Sequence, residues 1–194
     1  MRRRRAEPSR SAGRHKEVVS ITPFGDTGLL EAARAGDAPA FDSLVGPLIE
    51  SAFKLAVIML RNPDDAQDAI QEACVKAWTN LFQLRDANLR PWFLAIVANQ
   101  CRSMRRARWW SVIKLETLPQ RRTSEQARRD EAFDLDRELM RLPETDRAVL
   151  FLFFYLDLPL KDVARVMRIS PQAAKSRVHR AVARLRLTMV EDPK

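Results

Sequence analysis

Apolar residues recur every three or four positions along most of the chain, the pattern of amphipathic helices packed in a common core. Few runs of β-branched residues interrupt this pattern, and Ala, Leu, Arg and Glu are abundant. The pattern predicts helices over residues 29–35, 40–60, 63–78, 91–110, 133–142, 143–155, 160–167 and 171–189. We expect an all-α protein of two small helical domains joined by a flexible linker, the second containing a helix-turn-helix.

Two segments lack the helical pattern and divide the chain. Residues 1–25 are polar, basic and broken by Pro and Gly, so we expect a disordered basic tail. Residues 111–130 show weak apolar periodicity and a composition suited to an exposed linker. The predicted helical domains therefore cover residues 26–110 and 131–190.

The formal net charge is +9, but the tail accounts for most of it. Residues 1–16 hold seven Lys or Arg and one Glu, which leaves +3 for the rest of the chain. Cys74 and Cys101 share no CxxC spacing, so neither a disulfide scaffold nor a zinc site is predicted. No apolar run approaches the length that spans a bilayer, and we expect a cytoplasmic protein without membrane insertion.

The helix that follows Asn62 carries an acidic stripe. Asn62 is the predicted N-cap, Pro63 takes the first helical position, and Asp64 and Asp65 lie in the first turn. Alanines occupy one side of this helix, and the polar side gathers Asp64, Asp65, Asp68, Gln71 and Glu72. Such a stripe is either an ordinary solvated face or a surface that docks on a cationic partner.

The helix that opens at Pro91 begins apolar and ends rich in arginine. Asn99, Arg102, Ser103 and Arg106 recur at helical spacing, and they mix groups that contact phosphates and base edges. Trp109 and Trp110 either stack on single-stranded bases or pack the helix end against the linker. Residues 81–90, which precede this helix, are predicted to form a loop, and a flipped base could bind there.

The strongest signal lies between Leu160 and Arg186. A short helix, a turn at residues 168–170, and a second helix capped by Ser170 with Pro171 at its first position predict a helix-turn-helix. The buried stripe of the second helix comprises Ala174, Val178, Ala181, Val182 and Leu185. Its opposite face carries Gln172, Ser176, Arg177, His179 and Arg180. Residues 161–187 hold eight Lys or Arg and one Asp, which favours DNA binding over a merely solvated face.

These motifs, in this order, resemble a bacterial RNA polymerase sigma factor of the extracytoplasmic-function group, which keeps the second and fourth conserved sigma regions. The resemblance covers residues 41–108, with NPDDAQDAIQEACVKAW and LRPWFLAIVANQCRSMRR, and residues 139–187, with ISPQAAKSRVHRAVARLR. Six positions depart from the usual pattern. Ala98 and Ser103 replace a common Arg and Asp, and Arg168 replaces a Gly in the turn. Pro159 stands where the family often has Ser, and Ala173 and Ala174 replace the common Thr and Val.

The resemblance implies a role for each candidate site. Docking on core RNA polymerase falls to Asp65, Asp68, Gln71 and Glu72. The loop 81–90 would capture a flipped base of the minus-ten element, supported by Asn99, Arg102, Ser103 and Arg106. The minus-thirty-five element would be read by Gln172, Ser176, Arg177 and Arg180. The resemblance also implies an anti-sigma factor as a partner, duplex and single-stranded promoter DNA as ligands, and no cofactor or catalysis.

We therefore expect a transcription initiation factor that binds core RNA polymerase, recognises promoter elements and promotes their melting. One alternative is a stand-alone helix-turn-helix regulator whose first domain senses a ligand or dimerises. Another is a nuclease that uses the acidic stripe to bind metal, although helix-surface acids lack the buried, converging ligands of such sites.

Overall fold

The computed structural model describes residues 27–84, 88–114, 139 and 141–190, and all regular elements among them are helical. The α-helices are α1 (Thr27–Arg34), α2 (Ala38–Leu60), α3 (Pro63–Asn80), α4 (Leu89–Lys114), α5 (Glu144–Leu150), α6 (Leu160–Met167) and α7 (Pro171–Val190). A 3₁₀ turn, Leu81–Gln83, follows α3, and a π-helical segment, Phe151–Tyr155, follows α5. The prediction of an all-α fold is confirmed. The predicted tail, most of the linker and most of the predicted helix 133–142 lie outside the described residues.

Helix α2 is the centre of the first unit, which comprises α1 to α4. It contacts α1, α3 and α4, and Ala52, Leu55 and Ala56 on it are completely buried. By length and composition α2 is apolar enough to cross a membrane, so the expectation that no apolar run reaches that length is wrong. The physical reason for its apolar character is its place in the bundle, because a core helix meets neighbours on several sides.

Local signals set the helix boundaries in the first unit. Gly36, with φ of 98°, ends α1, and the Asp37 carboxylate caps α2 by accepting from the Ala40 N–H at 3.2 Å. The predicted cap of α3 is confirmed, because Asn62 Oδ1 accepts from the N–H groups of Asp64 and Asp65 at 2.9 and 3.3 Å.

The helix start predicted at Pro91 lies two residues late. Helix α4 begins at Leu89, which a proline in the first turn permits because the N–H groups there have no intrahelical acceptor. Pro47 lies inside α2, which nevertheless runs unbroken from Ala38 to Leu60.

The second unit, α5 to α7 with the π-helical segment, contains the helix-turn-helix. Helix α6 spans the predicted residues, and Ser170 caps α7 by accepting from the Ala173 N–H at 3.1 Å. Arg168 ends α6 in the left-handed region, with φ of 56°. Ala174, Val178 and Ala181 are buried as predicted, and Val182 and Leu185 are half-buried.

The two units pack against each other. Helix α6 contacts α4, and α5 contacts α2. Buried apolar residues of both units, among them Phe93 and Val97 of α4 and Val163 and Val166 of α6, belong to one continuous core. The helix-turn-helix is therefore seated on the arginine-bearing helix of the first unit.

Candidate polymerase and promoter interfaces

The acidic stripe of α3 lies on the face opposite its alanines. Ala66, Ala69, Ala73 and Ala77 are completely buried, and small side chains there let α3 approach α2 and α4 closely. Asp68, Gln71 and Glu72 are exposed. The geometry therefore leaves three of the four candidate docking residues open to a partner.

Asp65, the fourth candidate, is engaged within the chain. Its Oδ2 atom lies 2.6 Å from an Nη atom of Arg108, near the end of α4, and its side chain is mostly covered. This ion pair joins the start of α3 to α4 and offsets part of the repulsion along the stripe. Sequence reasoning missed the pair because its partners are 43 residues apart.

An exposed apolar strip continues the acidic stripe toward the end of α3. Val75 is 62% exposed and Phe82 in the 3₁₀ turn is 71% exposed. Trp78, between them in sequence, meets the ring of Phe41 edge-on, with centroids 5.1 Å apart. We call Val75, Trp78 and Phe82 the apolar strip; the signal for it is apolar residues at helical spacing outside the alanine face.

The four candidate minus-ten residues of α4 differ in exposure, and one of them contacts the second unit. Asn99 and Arg102 are half-buried, whereas Ser103 and Arg106 are exposed. An Nη atom of Arg102 donates to the Val166 carbonyl of α6 at 3.4 Å. Burial, and then the nearby charge of Arg168, lowers the pKa of Arg102. The four residues share a helix, but two of them are covered in this arrangement.

Both ends of the predicted base-capturing loop are anchored. Leu81 and Leu84 are buried, and the Arg34 guanidinium of α1 donates to the Leu84 carbonyl. After residues 85–87, which lie outside the described part, Asn88 Nδ2 donates to Asp162 Oδ2 of α6 at 3.4 Å. Burial lowers the pKa of the neighbouring Arg90. The loop is thus tied to the first unit at one end and to the second at the other.

The outer face of α7 is accessible. Gln172, Ser176, His179 and Arg180 are exposed, and Arg177 is half-buried. The opposite face packs on α5 and α6, which fixes the orientation of α7. His179 lies in no cluster of potential metal ligands, since the described residues contain no group of three or more His, Cys, Asp or Glu that could hold a metal ion.

Comparison with known proteins follows the same division into two units. Residues 44–111 match the family described as Sigma-70 region 2, and residues 132–185 match the family described as Sigma-70, region 4. The chain is 34% identical over 176 residues to the ECF RNA polymerase sigma factor SigM of Mycobacterium tuberculosis, covering 89% of this chain and 85% of that protein. It is 27% identical over 161 residues to the RNA polymerase sigma-E factor of Streptomyces coelicolor, covering 80% and 89%.

Solved structures share the fold. The sigma factor RpoE of Bartonella quintana, solved with the anti-sigma factor NepR, superposes with a TM-score of 0.66 at 22% identity, covering 79% of this chain and 98% of that one. CnrH, solved with the cytosolic domain of CnrY, superposes with a TM-score of 0.62 at 22% identity, covering 87% and 99%.

Regions 2 and 4 together define a sigma-70-type transcription initiation factor, and the alternative of a stand-alone regulator is not favoured. Within that class, the chain belongs to the extracytoplasmic-function sigma factors. The resemblance found in the sequence is confirmed.

Proposed function

We propose that the chain docks on core RNA polymerase through the exposed acids of α3 together with the apolar strip. Asp68, Gln71 and Glu72 lie on the outer face of one rigid helix, and Val75 extends that face with apolar surface. The complementary partner is an amphipathic surface with basic residues along one edge. Asp65 contributes indirectly, because its bond to Arg108 fixes the start of α3 on α4.

The observation that carries the proposal is the contrast in charge between two helices. The outer face of α3 exposes Asp64, Asp68 and Glu72, whereas α7 contains no acid and exposes Lys175, Arg180, Arg184 and Arg186. One unit is therefore suited to an attractive contact with a basic protein surface and the other to duplex DNA. Two weak contacts on one chain make promoter binding depend on the polymerase, which holds both units in register.

For promoter recognition, we assign α7 to the minus-thirty-five element and α4 with the loop 81–90 to the minus-ten element. Gln172, Ser176 and Arg180 present donors and acceptors on one exposed face. The downstream strand would be met by Asn99, Arg102, Ser103 and Arg106 once α6 no longer contacts Arg102. This role needs no catalytic group or cofactor. A protein with this role acts on the chromosome, so we propose that it is cytoplasmic.

An anti-sigma factor is the further partner that we propose. RpoE of Bartonella quintana was solved with the anti-sigma factor NepR, and CnrH was solved with the cytosolic domain of CnrY. The apolar strip on α3 is a surface that such a protein could cover, and covering it would exclude the polymerase.

The test is a charge reversal on α3. Glu72→Lys should weaken binding to core polymerase by roughly tenfold or more, because a like charge then faces the basic partner. Glu31→Lys makes the same change on an exposed residue of α1 and is the matched control. Equal affinity of Glu72→Lys and Glu31→Lys for core polymerase would rule out the proposed docking face.

A further inference from the structure

We propose that a cleft between α7 and the start of α5 binds one backbone phosphate of the promoter duplex, an inference that rests on the DNA-binding role proposed for α7. The cleft has a volume of about 170 Å³ and opens to solvent. Its walls are formed by Pro143, Thr145, Asp146, Arg177, Arg180 and Arg184.

The charges of the cleft suit an anion. Three guanidinium groups face one carboxylate, so the lining carries a net charge of +2. Arg177, Arg180 and Arg184 are spaced by three and four residues, which places them along one side of α7. Three like charges this close repel one another, and the single carboxylate of Asp146 offsets only part of this repulsion. A phosphodiester oxygen, the anion that duplex DNA offers to a helix in its groove, would offset more of it.

Asp146 orients the cleft rather than blocking it. Its side chain is only 8% exposed, and its Oδ2 atom forms an ion pair with an Nη atom of Arg184. A guanidinium has five N–H donors, so Arg184 bound to Asp146 keeps donors for a second oxygen ligand. Half of the Arg184 side chain is exposed, which leaves that second position open to DNA. The carboxylate therefore holds the Arg184 side chain at the cleft wall. Without this ion pair the side chain could adopt rotamers that point away from the cleft.

The cleft also changes the role of Arg177. Sequence reasoning grouped Arg177 with the base-reading residues, but its side chain is half-buried in the cleft, whereas Gln172 and Ser176 are exposed. Arg180 belongs to both surfaces, because it lines the cleft and is also exposed on the outer face of α7. Its Nε atom donates to the Ser176 carbonyl at 3.3 Å. Arg177 and Arg184 thus fix the register of α7 on the backbone, and the exposed face of α7 reads the bases.

The test uses the chain bound to core polymerase on a promoter duplex, with affinity measured at several salt concentrations. Arg184→Ala should weaken binding roughly tenfold for every upstream sequence and lower the slope of log affinity against log salt by about 0.9. Arg186→Ala removes the same charge from an exposed position of α7 outside the cleft and should change both quantities less. Discrimination between the cognate and a mutated upstream element should stay as in wild type.

Loss of Arg184 also leaves the buried Asp146 without its ion pair, so a second measurement separates binding from folding. A neutral methylphosphonate placed at successive backbone positions should reduce wild-type affinity at one position, and the same substitution should reduce the affinity of the Arg184→Ala variant less, because only Arg177 and Arg180 then remain in the cleft. Thr145→Val, which keeps the shape of the cleft wall and removes a hydroxyl, should weaken binding in the same sequence-independent way.

The possible failures are distinguishable. A wild-type complex that does not discriminate the cognate element contradicts the DNA-binding role of α7. A wild-type complex that discriminates, with Arg184→Ala and Arg186→Ala equal in salt slope, overturns the phosphate cleft alone.

Discussion

The guanidinium of Arg105 on α4 pairs with the carboxylate of Glu144 at the start of α5, and this ion pair joins the two units. An Nη atom of Arg147 donates to the Ile58 carbonyl of α2 at 3.2 Å, and Lys54 of α2 donates to the Tyr155 hydroxyl at 2.9 Å. The same packing covers Arg102 with α6. The proposed promoter contact of Arg102 would be freed by a movement of the second unit away from α4.

Reactivity of Cys101 should report this movement. The thiol is completely buried near Arg102 and Glu144, and burial raises its pKa to about 12. In a Cys74→Ser variant, which keeps Cys101 as the single thiol, labelling at pH 8 should be slow in the free chain and faster when core polymerase is bound. Labelling of the free chain as fast as in denaturant would contradict the buried position. The Cys101→Ser variant, which retains the half-buried Cys74, provides the control for reagent access.

Glu144 should make stability depend on pH. Burial raises the pKa of its carboxyl group, although Arg105 and Arg147 act in the opposite direction. The folded state then binds more protons than the unfolded state, so its stability falls as pH rises from about 4.3 through the folded-state pKa. Glu144→Gln removes this titration. The free energy of unfolding of the variant, relative to wild type, should therefore increase across that window and be constant below it.

Chemical denaturation at a series of pH values measures this difference, with Glu31→Gln on α1 as the control for the change of side chain. A relative stability of Glu144→Gln that decreases as pH rises would show that the ion pair with Arg105 outweighs the cost of burying the carboxylate.

Arg168 should be a site where glycine stabilises the protein. It adopts φ of 56° at the end of α6, in a region that costs a non-glycine residue about 1–2 kcal/mol. Arg168→Gly should raise the free energy of unfolding by about 1 kcal/mol relative to Arg168→Ala, which loses the same charge but keeps the backbone penalty. Equal stability of the two variants in urea denaturation would contradict this prediction, because it would mean that the turn changes conformation to remove the backbone penalty in Arg168→Ala.

Gln172 should contribute to base discrimination rather than to overall affinity. Its amide is exposed at the start of α7, and an amide that pairs with a base edge contributes about 1–3 kcal/mol against a wrong base. Gln172→Ala should relax the preference at one base pair of the upstream element and leave the salt slope unchanged. An equal loss of affinity for all sequences would show that Gln172 contacts the DNA backbone rather than a base. Binding of the polymerase complex to a set of single-base variants makes the measurement.

The parts of the fold that short-range chemistry determines were predictable. Asn62 with Pro63, and Ser170 with Pro171, each combine a capping side chain with a proline at the first helical position, and the structure begins helices at both. The buried stripe of α7 follows from helical period alone. The candidate interfaces on α3 and α7 were predictable for the same reason, since an exposed face is the complement of a buried one.

Contacts between distant segments were not predictable. Nothing near Asp65 in sequence indicates that Arg108 binds it, and nothing in α4 indicates that α6 covers Arg102. Likewise Asp146 pairs with Arg184 only because α5 and α7 pack together. Such pairs depend on the tertiary arrangement, which helical period does not encode.

We propose that this chain directs RNA polymerase to promoters and does not act on DNA alone. Runoff transcription with core polymerase on genomic fragments, paired with footprinting of the free chain on the same fragments, tests it most directly. We predict discrete transcripts only when the chain and core polymerase are both present, with no strong footprint from the free chain. A tight promoter footprint by the free chain, without transcripts when core polymerase is added, would contradict the account.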